Sequence, residues 1–171
     1  DGTLTFNAYN GSYAITADTG KLMLGAYKLN GSEKATLNED GTGAVWILGE
    51  GVGFPSISSQ PGWNPGQGIC MAPVGEKTYQ LTVVGGKTLN IESVNFKFFG
   101  QKGWGLEWVG PGAYTTKEGG NYIKYAGDGN FNSNTAWPSG KYMVMTVETA
   151  TKPCELWVKA LDELLLYETG E

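Results

Sequence analysis

The chain has no histidine and no arginine. All twelve of its basic residues are lysines, set against seventeen acidic ones for a net charge of −5. Each absence removes a class of chemistry. Without histidine there is no Ser-His-Asp or Cys-His catalysis, and almost no zinc site can be assembled. An enzyme made from this chain would have to work with paired carboxylates or lysine. Without arginine there is no planar fork for bidentate phosphate recognition. The acidic balance also lacks the basic face that nucleic-acid binding requires, so nucleic acid is set aside as a partner. Cysteine is scarce. Cys70 and Cys154 stand far apart and in no metal-ligand spacing. They allow either a disulfide in an oxidising compartment or two buried thiols, and buried thiols are the preferred reading. No apolar run approaches the roughly 20 residues that span a bilayer, so no membrane insertion by this segment is expected. No signal-peptide pattern is present, and the abrupt start at Asp1 suits either a trimmed piece or a mature segment of something longer.

What the chain does have is glycine, 27 of them among 171 residues, with apolar residues in short runs. That pattern predicts many short strands joined by turns, in a chain long enough for one domain with a substantial core. The central stretch runs from Val94 to Trp108. Val94, Phe96 and Phe98 alternate with Asn95 and Lys97, the mark of a half-buried strand, before Gly100 and Gly103 open a loop carrying Trp104 and Trp108.

Further strands are predicted at 3–9 and 12–17 around an Asn10-Gly11 turn, and at 21–29, 44–48, 69–73, 78–84, 88–91, 122–125, 141–147 and 155–161. The end, 162–167, is ambiguous between a helical turn and a strand. The segment 30–43 is polar and turn-rich, the composition of a linker or surface loop. Residues 1–43 are accordingly read as a hairpin segment and linker, either the tail of a preceding domain or extra strands of the same sandwich. Residues 44–171 are read as the main domain. A faint echo between Asp1–Ile15 and Asp128–Val144 fits a duplicated hairpin or the general likeness of hairpins equally well. The expected fold is all-β, a two-sheet antiparallel sandwich with long loops. The longest loop, 51–68, has no periodicity and surrounds Phe54 and Trp63 with glycine, proline, serine and glutamine.

Six tryptophans and nine tyrosines are many for this length. Trp46 and Trp157 sit in apolar strands, where core packing is expected. Trp63, Trp104, Trp108 and Trp137 lie instead among small and polar residues. An indole face offers apolar and C–H contact to a sugar ring, and neighbouring Asn, Gln or Lys side chains bond its hydroxyls, as a neutral polyhydroxylated ligand needs. Lys97, on the polar face of the central strand, is a candidate donor to such a hydroxyl. Glu50, Glu107, Glu118 and Asp128 are the loop acids available to a glycoside hydrolase, but no spacing brings two of them together. Gly127-Asp128-Gly129-Asn130 reads as a tight turn rather than a calcium loop, and no metal or cofactor is expected. A structural spacer or protein-interaction domain is the remaining alternative.

The order of motifs has a likeness. Val45-Trp46-Ile47-Leu48-Gly49 is followed by Gly62-Trp63, Tyr79-Gln80-Leu81-Thr82-Val83 and Asn95-Phe96-Lys97-Phe98 with Trp104. Gly127-Asp128-Gly129-Asn130-Phe131 and Pro138-Ser139-Gly140-Lys141-Tyr142-Met143-Val144 come next. This order resembles the carbohydrate-binding domains of SusE- and SusF-like outer-membrane lipoproteins, from the starch-utilisation type of uptake system in Bacteroidetes. The resemblance covers about Val45 to Leu161. It implies an immunoglobulin-like β-sandwich that binds an oligo- or polysaccharide without catalysis. Trp63 and Trp104 match the family's loop tryptophans, with Trp108, Tyr114 and Trp137 as additions by position. It further implies a cell-surface protein held at the outer membrane by a lipid-modified segment outside this chain, with outer-membrane glycan transporter components as partners. The long 51–68 loop, the missing arginine and the first forty-odd residues depart from the pattern.

Overall fold

The structure is a computed structural model that describes residues 9–20, 23–100, 103–105 and 112–164. Among these residues there is no α-helix, and the fold is the expected antiparallel β-sandwich. One five-stranded sheet has the order β10 (Ile123–Tyr125), β11 (Phe131–Ser133), β8 (Asn95–Phe99), β4 (Trp46–Glu50), β5 (Ile69–Cys70). The other has the order β6 (Ala72–Pro73), β7 (Thr78–Val84), β12 (Tyr142–Glu148), β13 (Cys154–Leu161), β9 (Tyr114–Glu118). A three-stranded sheet of β1 (Ser12–Asp18), β2 (Met23–Asn30) and β3 (Glu33–Lys34) stands beside them. Every strand pair is antiparallel except β13 with β9, which is parallel.

Alternation on the long strands builds the core. The register aligns Leu81, Met145 and Val158 in one row, and Tyr79, Val147 and Leu156 in the next, all facing Ile47, Phe96, Phe98 and Phe131 of the opposite sheet. The chain passes from one sheet to the other at Met71, which is fully buried and whose N–H donates to the Val45 carbonyl at 2.9 Å. Strand β4 is buried on both faces. Ile47 enters the main core, while Trp46 and Leu48 join Phe99, Ala35 and Ala44 in a second cluster against which Tyr27 of β2 packs.

Several expectations need correction. The segment 30–43 is not a free connector. Ala35 and Leu37 are buried, Leu37 N–H donates to the Gly100 carbonyl at 2.6 Å, and the Gly41 carbonyl accepts from Tyr79 Oη at 2.9 Å and Thr149 Oγ1 at 2.6 Å. Its polar composition hid this because backbone groups, not apolar side chains, make most of the attachment. Trp157 is half-buried on the outer face of β13 rather than in the core, since Cys154, Leu156 and Val158 take the inward positions. The 88–91 stretch contributes only isolated bridges at Leu89. Strands β9 and β11 were not expected: β9 buries Tyr114 alone, and β11 has three residues, so neither displays a period. The strand expected at 3–9 and the first half of the internal echo fall largely outside the described residues.

Cys70 and Cys154 are free thiols on different sheets. Burial is the chief cause that pushes each up to about 11 from an ordinary 9.0. Burial likewise raises the Tyr79 and Tyr114 hydroxyls. All four are held protonated in the folded chain above the pH at which the unfolded chain releases their protons. Their contribution to stability is therefore complete below about pH 9 and is lost as pH rises toward and past 11. Thermal melts should show a falling Tm across that window. Ellman's reagent at pH 8 should count about two thiols quickly only after denaturation. A flat Tm through the window, or fast labelling of the folded chain, would contradict this account.

Candidate functional site

The outer face of the first sheet is built around Lys97. Because Phe96 and Phe98 point into the core, the intervening Lys97 must point away from it. Directly opposite on β4 is Leu48, fully buried beneath this face. Two indoles flank the Lys97 ammonium. Nζ lies 5.9 Å from the ring centroid of Trp63 and 5.6 Å from that of Trp104. Both rings keep solvent access, Trp63 at 36% and Trp104 at 55% of their surface. At this range each cation–π contact is worth about 0.5–1 kcal/mol, enough to bias the lysine between the rings but too little to close them over it.

Each indole is held by a different device. Trp63 follows Gly62, whose carbonyl accepts from Gly49 N–H of β4 at 2.8 Å, so the long loop returns along the strand edge. That loop is ordered by its own bonds: Gln60 Oε1 accepts from Gly51 N–H at 2.7 Å, and Asn64 Oδ1 accepts from Gly66 N–H at 3.1 Å to cap the short 3-10 turn Pro65–Gln67. Trp104 rests edge-to-face on Phe99, the buried last residue of β8, with centroids 5.7 Å apart. Beside the rings runs a polar row in register across four strands: Glu50, Asn95, Asn132 and Lys124. Those positions were legible in principle from the two-residue period, but which strands stand side by side is a long-range fact.

The other expected site residues are elsewhere. Tyr114 is 7% exposed, its ring among Phe98, Tyr125 and Phe131. Trp137 is 2% exposed, stacks on Tyr122 at 5.5 Å and donates from Nε1 to Ser133 Oγ at 3.0 Å. Rings with so little free surface have no face to offer, and both are corrected to packing residues. Trp108 lies outside the described residues, as does Glu107. Of the remaining acids, Glu118 Oε2 is 3.5 Å from Lys159 Nζ on the second sheet, Asp128 Oδ1 accepts from Asn130 N–H in its own turn at 2.9 Å, and Glu50 closes β4. Among the described residues no three His, Cys, Asp or Glu side chains gather where they would hold a metal.

The sequence profile of a family described as a domain of unknown function, DUF5121, matches residues 40–149. The chain belongs to that family. No curated protein and no solved structure matches it. The DUF5121 match takes in Trp63, Lys97 and Trp104 together with the strands beneath them, so the whole indole–lysine face lies within the family's own stretch. Strand β13 lies beyond the match although its residues 155–161 pair with the whole of β12.

Gly49 links the DUF5121 core to this face. Its φ is +128°, and an added Cβ would stand 2.4 Å from the Asn95 carbonyl oxygen and 2.6 Å from Phe96 Cα. Gly49→Ala should therefore cost about 2–4 kcal/mol, from backbone strain and overpacking together. It should also displace the Gly62 contact that seats Trp63. A thermal melt checks the first effect, and an unchanged Tm would refute it.

Proposed function

We propose that this DUF5121 domain binds a neutral oligo- or polysaccharide without transforming it, using Trp63 and Trp104 as the stacking surfaces and Lys97 as a hydroxyl-directed donor between them. The observation that carries this reading is the pair of solvent-accessible indoles flanking one ammonium group on a sheet face. Leaving two such rings in water is unfavourable for a free monomer, and it suits a surface that spends part of its time covered. A sugar ring fits it: C–H groups against the indoles, hydroxyls to Lys97 and to the polar row of Asn95 and Asn132.

The resemblance of the motif order to SusE- and SusF-like proteins supports the setting. In that setting the domain captures glycan at the cell surface as part of an uptake system, anchored at the outer membrane by a lipid-modified segment outside this chain and working beside transporter components. Affinity gel electrophoresis against α-glucans, xylans, mannans and host-type glycans tests the binding claim. Retardation on at least one neutral glycan, without release of reducing ends, is the expected result. Migration unaffected by every glycan would sink it, and steady release of reducing ends would sink the non-catalytic part.

A further inference from the structure

The two indoles occupy one part of a larger surface. Glu50, Asn95, Asn132 and Lys124 form a row on the same outer face, each directly across from the next on β4, β8, β11 and β10. Asn95, Asn132 and Lys124 turn outward because their strand neighbours Phe96, Phe131 and Ile123 are buried in the core. Glu50 is paired with Asn95 and therefore shares its face. Three strand spacings separate the ends of the row, about 14 Å, which is room for about three pyranose rings in line. Trp63 is tied to the β4 edge by the bond from Gly49 to Gly62, and Asn132 and Lys124 lie on the other side of β8 from it. The face thus continues past the indoles onto β11 and β10.

The row has a definite chemistry. Glu50 and Lys124 are exposed, and Asn95 and Asn132 are half-buried. It offers an acceptor at one end, two amides that both donate and accept, and a donor at the other end. Asn95 Oδ1 has no hydrogen-bond partner among the described residues, and the broad terminal torsion of an asparagine lets that amide turn toward a ligand. The charges of the two ends cancel, so a ligand charged with one sign throughout would meet a like charge at one of them. Hydroxyls, which donate and accept, match the whole row. We propose that the ligand is a linear run of at least about three neutral sugar units that crosses the strands, continuing from the rings onto β11 and β10. Its first units stack on Trp63 and Trp104, and those that follow are bonded through their hydroxyls to Asn132 and Lys124. This path rests on the assignment of the two indoles as stacking surfaces and adds Lys124 and the length of the ligand to it.

Isothermal titration of the whole chain with malto-, cello-, xylo- and manno-oligosaccharides, from disaccharide to hexasaccharide, tests this. In the series that binds, the tetrasaccharide should exceed the disaccharide in affinity by at least about tenfold, with little gain beyond it as further units leave the row. Lys124→Ala should weaken the tetrasaccharide by about threefold to tenfold, the effect of losing one hydrogen bond to a hydroxyl, and leave the disaccharide unchanged. Asn132→Ala should cost the tetrasaccharide more than the disaccharide. Trp104→Ala should weaken both lengths, so failure of the stacking face and failure of the crossing path are read separately. A disaccharide bound as tightly as the tetrasaccharide, or a Lys124→Ala loss that is absent or equal at the two lengths, overturns the path and leaves the stacking face standing. Binding of no oligosaccharide in any series overturns both. Melts of the variants accompany the titrations, and the exposed Lys124→Ala carries the test if Asn132→Ala fails to fold.

Discussion

Trp104→Ala is expected to weaken binding of a cognate neutral glycan by roughly tenfold to a hundredfold while shifting the Tm by only a few degrees. The binding loss follows from removing an anchor ring, about 1–3 kcal/mol for an aromatic at the centre of a contact. The small stability change follows from what Trp104 touches. More than half of its surface is free, and its described ring contacts are the edge-to-face meeting with Phe99 and the approach of Lys97. Those two contacts together amount to about 1–2 kcal/mol at most in an exposed setting. Trp63→Ala should behave alike, with a larger stability cost because its ring is more covered. Trp46→Ala is the control. Its ring is 5% exposed and its Nε1 donates to the Ala35 carbonyl at 3.2 Å, so it should mainly destabilise. Titration and melts on the same variants decide the matter. If Trp63→Ala and Trp104→Ala both bind like the parent, the stacking face is not where we place it.

The second large effect is on stability. Phe131 has no exposed surface, and its ring meets Phe96 at 6.0 Å, Phe98 at 5.1 Å, Tyr114 at 4.9 Å and Tyr125 at 5.1 Å. It sits on the three-residue β11 that joins β10 to β8. Phe131→Ala should cost about 3–5 kcal/mol, a large share of the roughly 5–15 kcal/mol that holds a domain folded. For a chain of this length that corresponds to a Tm lower by about 6–20 °C. Phe131→Leu, which leaves a smaller void, should recover most of the loss. Urea unfolding read by tryptophan fluorescence checks both variants. A Phe131→Ala midpoint close to the parent's would mean that the ring cluster can close over the gap, against the close packing expected of a core.

The two-residue period determined much by itself. Alternation along 78–84, 94–99 and 141–147 is a local consequence of the pleat, and the strands β7, β8 and β12 lie there with Tyr79, Phe96 and Met145 turned inward. The same rule put Lys97 on the outer face before any partner strand was known. The composition carried the absence of histidine and arginine, and with it the exclusion of whole classes of chemistry. Tertiary structure decided which aromatic rings remain outside. Trp63, Trp104 and Trp137 sit in similar small and polar surroundings, yet Trp137 stacks on Tyr122 and is sealed, while the other two reach Lys97. A ring's exposure depends on what the distant chain lays over it, and neighbouring residues do not encode that. The bond from Gly49 to Gly62 and the buried edge of Phe99 under Trp104 bring two loops to one strand. Likewise, a cavity lies where the β1–β3 sheet stands against the 54–68 stretch and strands β5 to β7, so residues far apart in sequence share its walls.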